Sequence, residues 1–486
     1  MRSQRQVSSE LAPLHANAAG IDIGAQTHWV CVPADRAVEN VKSFGCFTVD
    51  LYALVDWLQE CGVQSVAMES TGVYWIALFQ ILETRGFEVR LVNAHHVKTL
   101  PSRKSDVLDC QWLQQLHSYG LLSASFRPDD QICVLRSYIR QRDNLVRSAC
   151  VHVQRMQKAL TEMNVQLHQV VSDITGTTGM AIIRAIVTGE HDPQTLASLR
   201  HPRSHRSATE IAQALQGDYR PEHLFILQQE LALYETYQVQ LAACDTQIEQ
   251  CLSSFEVTSE IDLPKAGSPR RKPQDNQPAF DLQTHLHRIS GVDFTQINGM
   301  GALTVQTILS EVGLDASRFP TVKHFTSWLG LCPGSCITGG KVKNSRTRRV
   351  VNRAANAFRM AALAAGKTHS ALGAFYRRLR TRLGAPKAIT ATAHKLARIF
   401  YRLWSSGGHY DDPGINYYEQ RYQEQIVKGL RKKAQAMGFD LVASAPSEAR
   451  LCQPGEETGT ESLGQASGTE CCVGSGNADG EAYTGR

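Results

Sequence analysis

AAGIDIG, residues 18–24, is the stretch on which the fold turns. Ala19–Ile23 is apolar but for Asp22, and reads as a strand. A tight Gly24-Ala25-Gln26 turn leads into a second strand, His28–Val32, and Val41–Val49 reads as a third. Working outward, Asp50 is expected to cap a helix running to about Glu60, with Leu51, Leu54, Val55 and Leu58 on its inner face. Val63–Glu69 is a short buried strand, Gly72–Arg85 a helix and Phe87–Val92 another strand. A further helix starts near Ser105, its apolar side made of Val107, Leu108, Cys110, Trp112 and Leu113. This order predicts a mixed α/β sheet for the first domain.

An acid inside a buried strand is costly unless a cation neutralises it, so Asp22 is a candidate site residue. Glu69 ends the strand VAME. Asp106 and Asp109 in KSDVLDCQWL lie three residues apart at a helix start. That spacing sets them on one helical face, about 4.5 Å apart along the axis, where the helix dipole favours negative charge. In a ribonuclease-H-like order the first and fourth strands are neighbours and the following helix crosses beside their ends, which would gather all four acids. Four hard oxygen donors suit Mg²⁺, or Mn²⁺ in its place. Two such ions about 3.5–4 Å apart would activate one oxygen and stabilise the other in phosphodiester cleavage. Each piece has a plainer reading: GIDIG also opens the phosphate hairpin of actin-like ATPases, and an Asp pair at a helix start is often only a cap. No second Gly-rich phosphate loop accompanies it, which disfavours the ATPase.

At 486 residues the chain exceeds one ordinary core. The expected division is a disordered leader 1–17, the α/β domain 18–129, and a helical coiled-coil arm 130–255. A linker 256–288, a mainly α unit 289–410, a helical extension 411–442 and a disordered tail 443–486 follow. The arm rests on apolar steps of three and four residues over 130–171 and 223–255, and such long helices suggest dimerisation. The linker rests on the Pro- and charge-dense KAGSPRRKPQDNQP. No apolar run approaches a membrane span, and the N-terminus lacks the apolar core of a secretory signal. The 13 cysteines show no zinc-ribbon spacing, so reduced thiols in a cytoplasmic protein are expected.

Charge is unevenly placed. Residues 316–410 hold 18 Lys and Arg and no Asp or Glu, while the remaining 33 basic residues face all 46 acidic ones. One basic segment on an otherwise acidic chain points to a polyanion partner. Before it, Ile297-Asn298-Gly299-Met300-Gly301 and the apolar helix after it resemble a helix–hairpin–helix, whose glycine turn offers backbone N–H groups to a phosphate. Within it, Gly339 and Gly340 allow close phosphate approach, and Lys341, Lys343, Arg346, Arg348, Arg349 and Arg353 supply charge. The hydroxyls of Ser335 and Thr338 stand among these cations, which would favour attack on phosphorus; more commonly such hydroxyls only bind phosphates.

Together GIDIG, MESTGVYW, the SDxxDxxWL helix, TGTTGMAIIRAI and the LGLCPG…GGK block resemble the transposases of the bacterial insertion-sequence 110 family, 1111 subgroup, the DEDD transposases. The resemblance spans most of Ala18 to about Gly408. It implies a RuvC-like N-terminal domain, an arm of paired helices and a C-terminal transposase domain with a nucleophilic serine. It also implies DNA partners (element ends and target), a noncoding guide RNA encoded in the element, and a homo-oligomer of two or four subunits. Carried over, the DEDD residues are Asp22, Glu69, Asp106 and Asp109. Where the family has Ser-Gly-Gly-Lys this chain has Thr338, so three outcomes stand open: Thr338 is the nucleophile, Ser335 substitutes for it, or the copy is impaired. Two competitors stand beside this reading: a Holliday-junction-type endonuclease with no covalent step, and a non-catalytic nucleic-acid-binding protein.

Overall fold

The computed structural model describes residues 12–93, 105–258, 276–348, 350 and 352–442. Strands β1 (Ala18–Ile23), β2 (Thr27–Cys31) and β3 (Val41–Gly45) form an antiparallel meander. Helix α1 (Thr48–Glu60) then leads to β4 (Ser65–Glu69), α2 (Trp75–Thr84), β5 (Glu88–Val92) and α3 (Asp106–Ser118). β4 pairs parallel to β1 and β5 parallel to β4, so the five-stranded sheet runs β3-β2-β1-β4-β5. This is the neighbour relation expected of the first and fourth strands, and the first domain is a mixed sheet with helices.

One face of the sheet, with Ile21, Ile23, Val30, Val66 and Met68, packs on α1 and α2. The other receives α3, and the approach is close enough to require glycine. A Cβ on Gly20 would stand 2.3 Å from the Gln114 backbone nitrogen and 2.4 Å from the Cys110 carbonyl oxygen. Further down α3, His117 Nε2 and Ser65 Oγ share a 3.0 Å hydrogen bond, and the His15 ring stacks on His117. Burial holds His117 at about 4, so it is a neutral fastener between α3 and β4. The Cys110 thiol, its hydrogen bond to Cys31 the main cause, is pushed up, and the same bond pulls Cys31 down.

Two expectations are corrected here. α1 begins at Thr48, and Asp50 lies inside it, where Oδ2 accepts the Phe47 N–H at 3.2 Å. Leu108 is 47% exposed because α3 turns Cys110 and Leu113 inward, leaving Leu108 on the outer side.

Helices α4 (Asp130–Glu162) and α9 (Pro221–Ser253) run antiparallel, each about 50 Å long at 1.5 Å per residue. Gln131 reaches Ser254, Arg142 pairs with buried Asp245, and Glu162 meets His223. Between them, α5 (Leu167–Val170), α6 (Thr177–Val187), α7 (Pro193–Ser198) and α8 (Ala208–Ala214) close a separate core at one end of the pair.

The last core combines the other end of the pair with α10 (Leu282–Ser290), α11 (Ala302–Val312), α12 (Val322–Trp328), α13 (Arg353–Ala365), α14 (Ala371–Leu383) and α15 (Ala385–Ser406). Phe294, Phe325, Phe358 and Phe400 pack at its centre, Phe294 stacked on Phe400 and Phe358 edge-on to Phe325 and Phe400. A two-stranded hairpin, β6 (Cys336–Thr338) and β7 (Lys341–Asn344), sits between α12 and α13. Helix α16 (Gly414–Ala436) follows; from Gln420 onward the chain forms a second unit. Among the described residues, no helix is long and apolar enough to cross a membrane. The tail 443–486, residues 1–11 of the leader and most of the linker lie outside the described residues; leader residues 12–17 lie within, with the His15 N–H bonded to the Ser118 carbonyl.

Candidate functional site

The register of β1 opposes Asp22 to Trp29 on β2, near the end of the strand. Glu69 ends β4 opposite Val92, and Thr71 Oγ1 donates to Glu69 Oε1 at 3.1 Å. Ser105 caps α3 by accepting the Leu108 N–H at 3.3 Å, which fixes Asp106 and Asp109 in the first helical turn. Because α3 lies against β1 at Gly20, that turn comes to the strand end that carries Asp22. The consequence is electrostatic. Asp22 is half-buried, and its carboxyl rises from the ordinary 3.8 to about 6, through burial first, then repulsion from Glu69, Asp109 and Asp106 in turn. Each of the other three predicted acids therefore acts on Asp22.

The quartet is gathered but not closed: among the described residues, no three His, Cys, Asp or Glu side chains stand within common ligating reach. As donors the four fit a hard divalent cation. They are all carboxylates, they repel, and a positive charge placed among them would relieve the penalty on Asp22.

The residues expected to bind nucleic acid fall into three groups. Gly299 has a left-handed φ of 92°, and a Cβ there would meet the Ala361 carbonyl oxygen at 2.4 Å, so it serves the seating of the turn on α13. Gly301 is the exposed N-cap of α11, with open space around it. Arg353 opens α13 and is already engaged, paired with Asp143 and, at 3.5 Å, with Glu311. Glu311 also takes Arg140 at 2.9 Å and Arg136 at 3.6 Å, which ties α4, α11 and α13 together.

Ser335, Thr338, Lys341, Lys343, Arg346 and Arg348 are all exposed on the β6–β7 hairpin and its flanks. Gly339 and Gly340, with φ of 57° and 74°, form its two-residue turn. The stretch expected as a glycine loop is thus an ordered hairpin. A Gly-Gly pair between Ile337-Thr338 and Lys341-Val342 is the signal that could have found it. The hairpin is anchored by Arg348, which donates to the Ser327 carbonyl at 2.7 Å. Arg349 lies outside the described residues. The acids belong to the first domain, and Thr338 stands exposed on the β6–β7 hairpin, a separate projection.

Comparison with known families covers both parts. Residues 19–165 match a family model described as a transposase, DEDD_Tnp_IS110, and residues 293–377 match a second, described as Transposase IS116/IS110/IS902 family. No curated protein matches the chain.

Proposed function

Since the chain belongs to the IS110 family of transposases, DNA transposases of insertion sequences, we infer that it cuts and rejoins DNA strands with its four carboxylates and a hydroxyl from the basic hairpin. The repulsion that Glu69, Asp109 and Asp106 exert on half-buried Asp22 carries this reading. These residues would hold Mg²⁺ or Mn²⁺, which when bound supplies charge stabilisation at the scissile phosphate. Asp22 and Glu69 offer ligands from rigid strand ends, and Asp106 and Asp109 from the first turn of a capped helix. Thr338 Oγ1 attacks phosphorus; its bond to phosphorus forms as the bond to the deoxyribose oxygen breaks, and the freed DNA hydroxyl leaves. Attack by another DNA hydroxyl on that ester reverses the step and joins new strands. Lys341 and Lys343, exposed beside Thr338, would offset the charge that builds on the phosphoryl oxygens. A guide RNA encoded in the element, and assembly as a homo-oligomer, complete the reading.

The position of Thr338 on a hairpin fastened to α12 favours a second reading, metal-dependent cleavage without a covalent adduct. Trapping of protein–DNA complexes on element-end DNA separates the two. Asp22→Asn and Glu69→Gln should abolish cleavage while nucleic-acid binding stays near wild type. Thr338→Ala should abolish the adduct. Excision undiminished in the acid variants would remove the metal site, and an undiminished adduct in Thr338→Ala would move the nucleophile to Ser335 or elsewhere.

A further inference from the structure

Beside the hairpin lies a groove of about 560 Å³ between α4, α11 and α13. Its walls hold three arginines, Arg147 on α4 and Arg353 and Arg359 on α13, against one acid, Asp143. Asp143 is spent on Arg353. Arg147 and Arg359 have no acidic partner among the described residues, so two uncompensated guanidinium groups line the same groove from different helices. The N-termini of α11 and α13 open on the same space, since Leu303, Thr304 and Asn352 are also lining residues. Two helix dipoles thus add positive potential at the place the arginines already make positive. Arg353, one of the lining residues, is held by Glu311, which also takes Arg136 and Arg140.

The groove is not purely ionic. Met360 is 57% exposed and Val350 38%, and both line it, beside Asn356. Fixed cations, helix N-termini and small apolar faces side by side fit a ligand with phosphates and flat rings. The volume is that of a small-ligand cleft, room for about one or two nucleotides and too narrow for a duplex.

We propose that this groove holds a single strand of nucleic acid, with Arg147 and Arg359 clamping its phosphates and Met360 and Val350 against its sugar or base faces. It rests on the reading of the chain as a DNA-handling transposase, and adds a binding site on α4 and α13 outside both the acid quartet and the hairpin. The strand is DNA or RNA, and the phosphate chemistry is common to both.

The test is fluorescence anisotropy of the full chain with labelled 20-mers of oligo-dT and oligo-U, over a series of salt concentrations. Arg147→Gln with Arg359→Gln should weaken binding of at least one strand about tenfold or more. It should also flatten the log–log salt slope by about 1.4, since each phosphate contact on a single strand contributes about 0.7. Loss in the dT arm assigns the groove to DNA, and loss in the U arm to RNA. Because neither arginine makes an ion pair among the described residues, the melting temperature should not move; the double Lys variant, which keeps the charge, should retain the slope. Wild-type affinity and slope in both arms for the Gln variant would overturn the proposal. Magnesium-dependent cleavage by the wild type, scored on the same preparation, separates this outcome from failure of the transposase reading. A wild type that binds neither strand and cuts nothing defeats both.

Discussion

Replacing Asp22 by Asn should stabilise the metal-free protein, against the usual direction for a substitution in a buried strand. The carboxyl titrates near 6 rather than 3.8, because burial and three neighbouring acids penalise its charged form. Taken at face value that rise corresponds to about 3 kcal/mol; with the group about half solvated, screening leaves about 1–2 kcal/mol. The folded state holds this proton more tightly than the unfolded one, so stability contributed by Asp22 is complete below pH 3.8 and lost as pH rises through about 6. In EDTA at pH 7.5, Asp22→Asn should therefore gain about 1–2 kcal/mol, or roughly 2–4 °C per kcal/mol for a domain of this class, and the gain should vanish towards pH 4. Urea unfolding of both proteins across pH 4–8 measures it. Adding Mg²⁺ should raise the wild type more than the variant. A variant less stable than wild type in EDTA, or a difference that does not change with pH, would refute the claim that these acids share one field.

Gly20→Ala forces a Cβ into the backbone of α3 at Gln114 and Cys110; about 2–3 kcal/mol should be lost, and cleavage should fall further because α3 carries Asp106 and Asp109. A near-neutral melting curve would show that α3 can withdraw without harm. Arg142→Ala strands buried Asp245 between α4 and α9, with an expected cost of about 3–5 kcal/mol by thermal melting; a loss under 1 kcal/mol would mean the helix pair does not depend on this contact. Thr338→Ser removes a methyl that crowds in-line attack, so adduct formation per unit time should rise. An unchanged rate would say that Thr338 does not meet the phosphorus.

The sheet was legible because its strands are short apolar runs punctuated by Gly, Asp and Asn, a pattern that survives any tertiary context. Strand order, in turn, made it foreseeable that β1 and β4, the strands of Asp22 and Glu69, are neighbours. Less was legible where packing decides. Leu108 belongs by composition to an apolar face, yet the close seat of α3 on Gly20 turns it outward. Arg353 looked like its basic neighbours, but it faces Asp143 and Glu311, residues 210 and 42 positions away, which no local pattern reports. The groove between Arg147 and Arg359 is of the same kind, built from helices far apart in the chain.

The most direct measurement is Mn²⁺ binding by electron paramagnetic resonance on the full chain, with Mg²⁺ as competitor. The wild type should bind at least one Mn²⁺ that Mg²⁺ displaces, and Asp22→Asn and Glu69→Gln should each lose it while remaining folded. A wild type that leaves all Mn²⁺ free, or acid variants that bind it as well as the wild type, would contradict a metal centre built on these carboxylates.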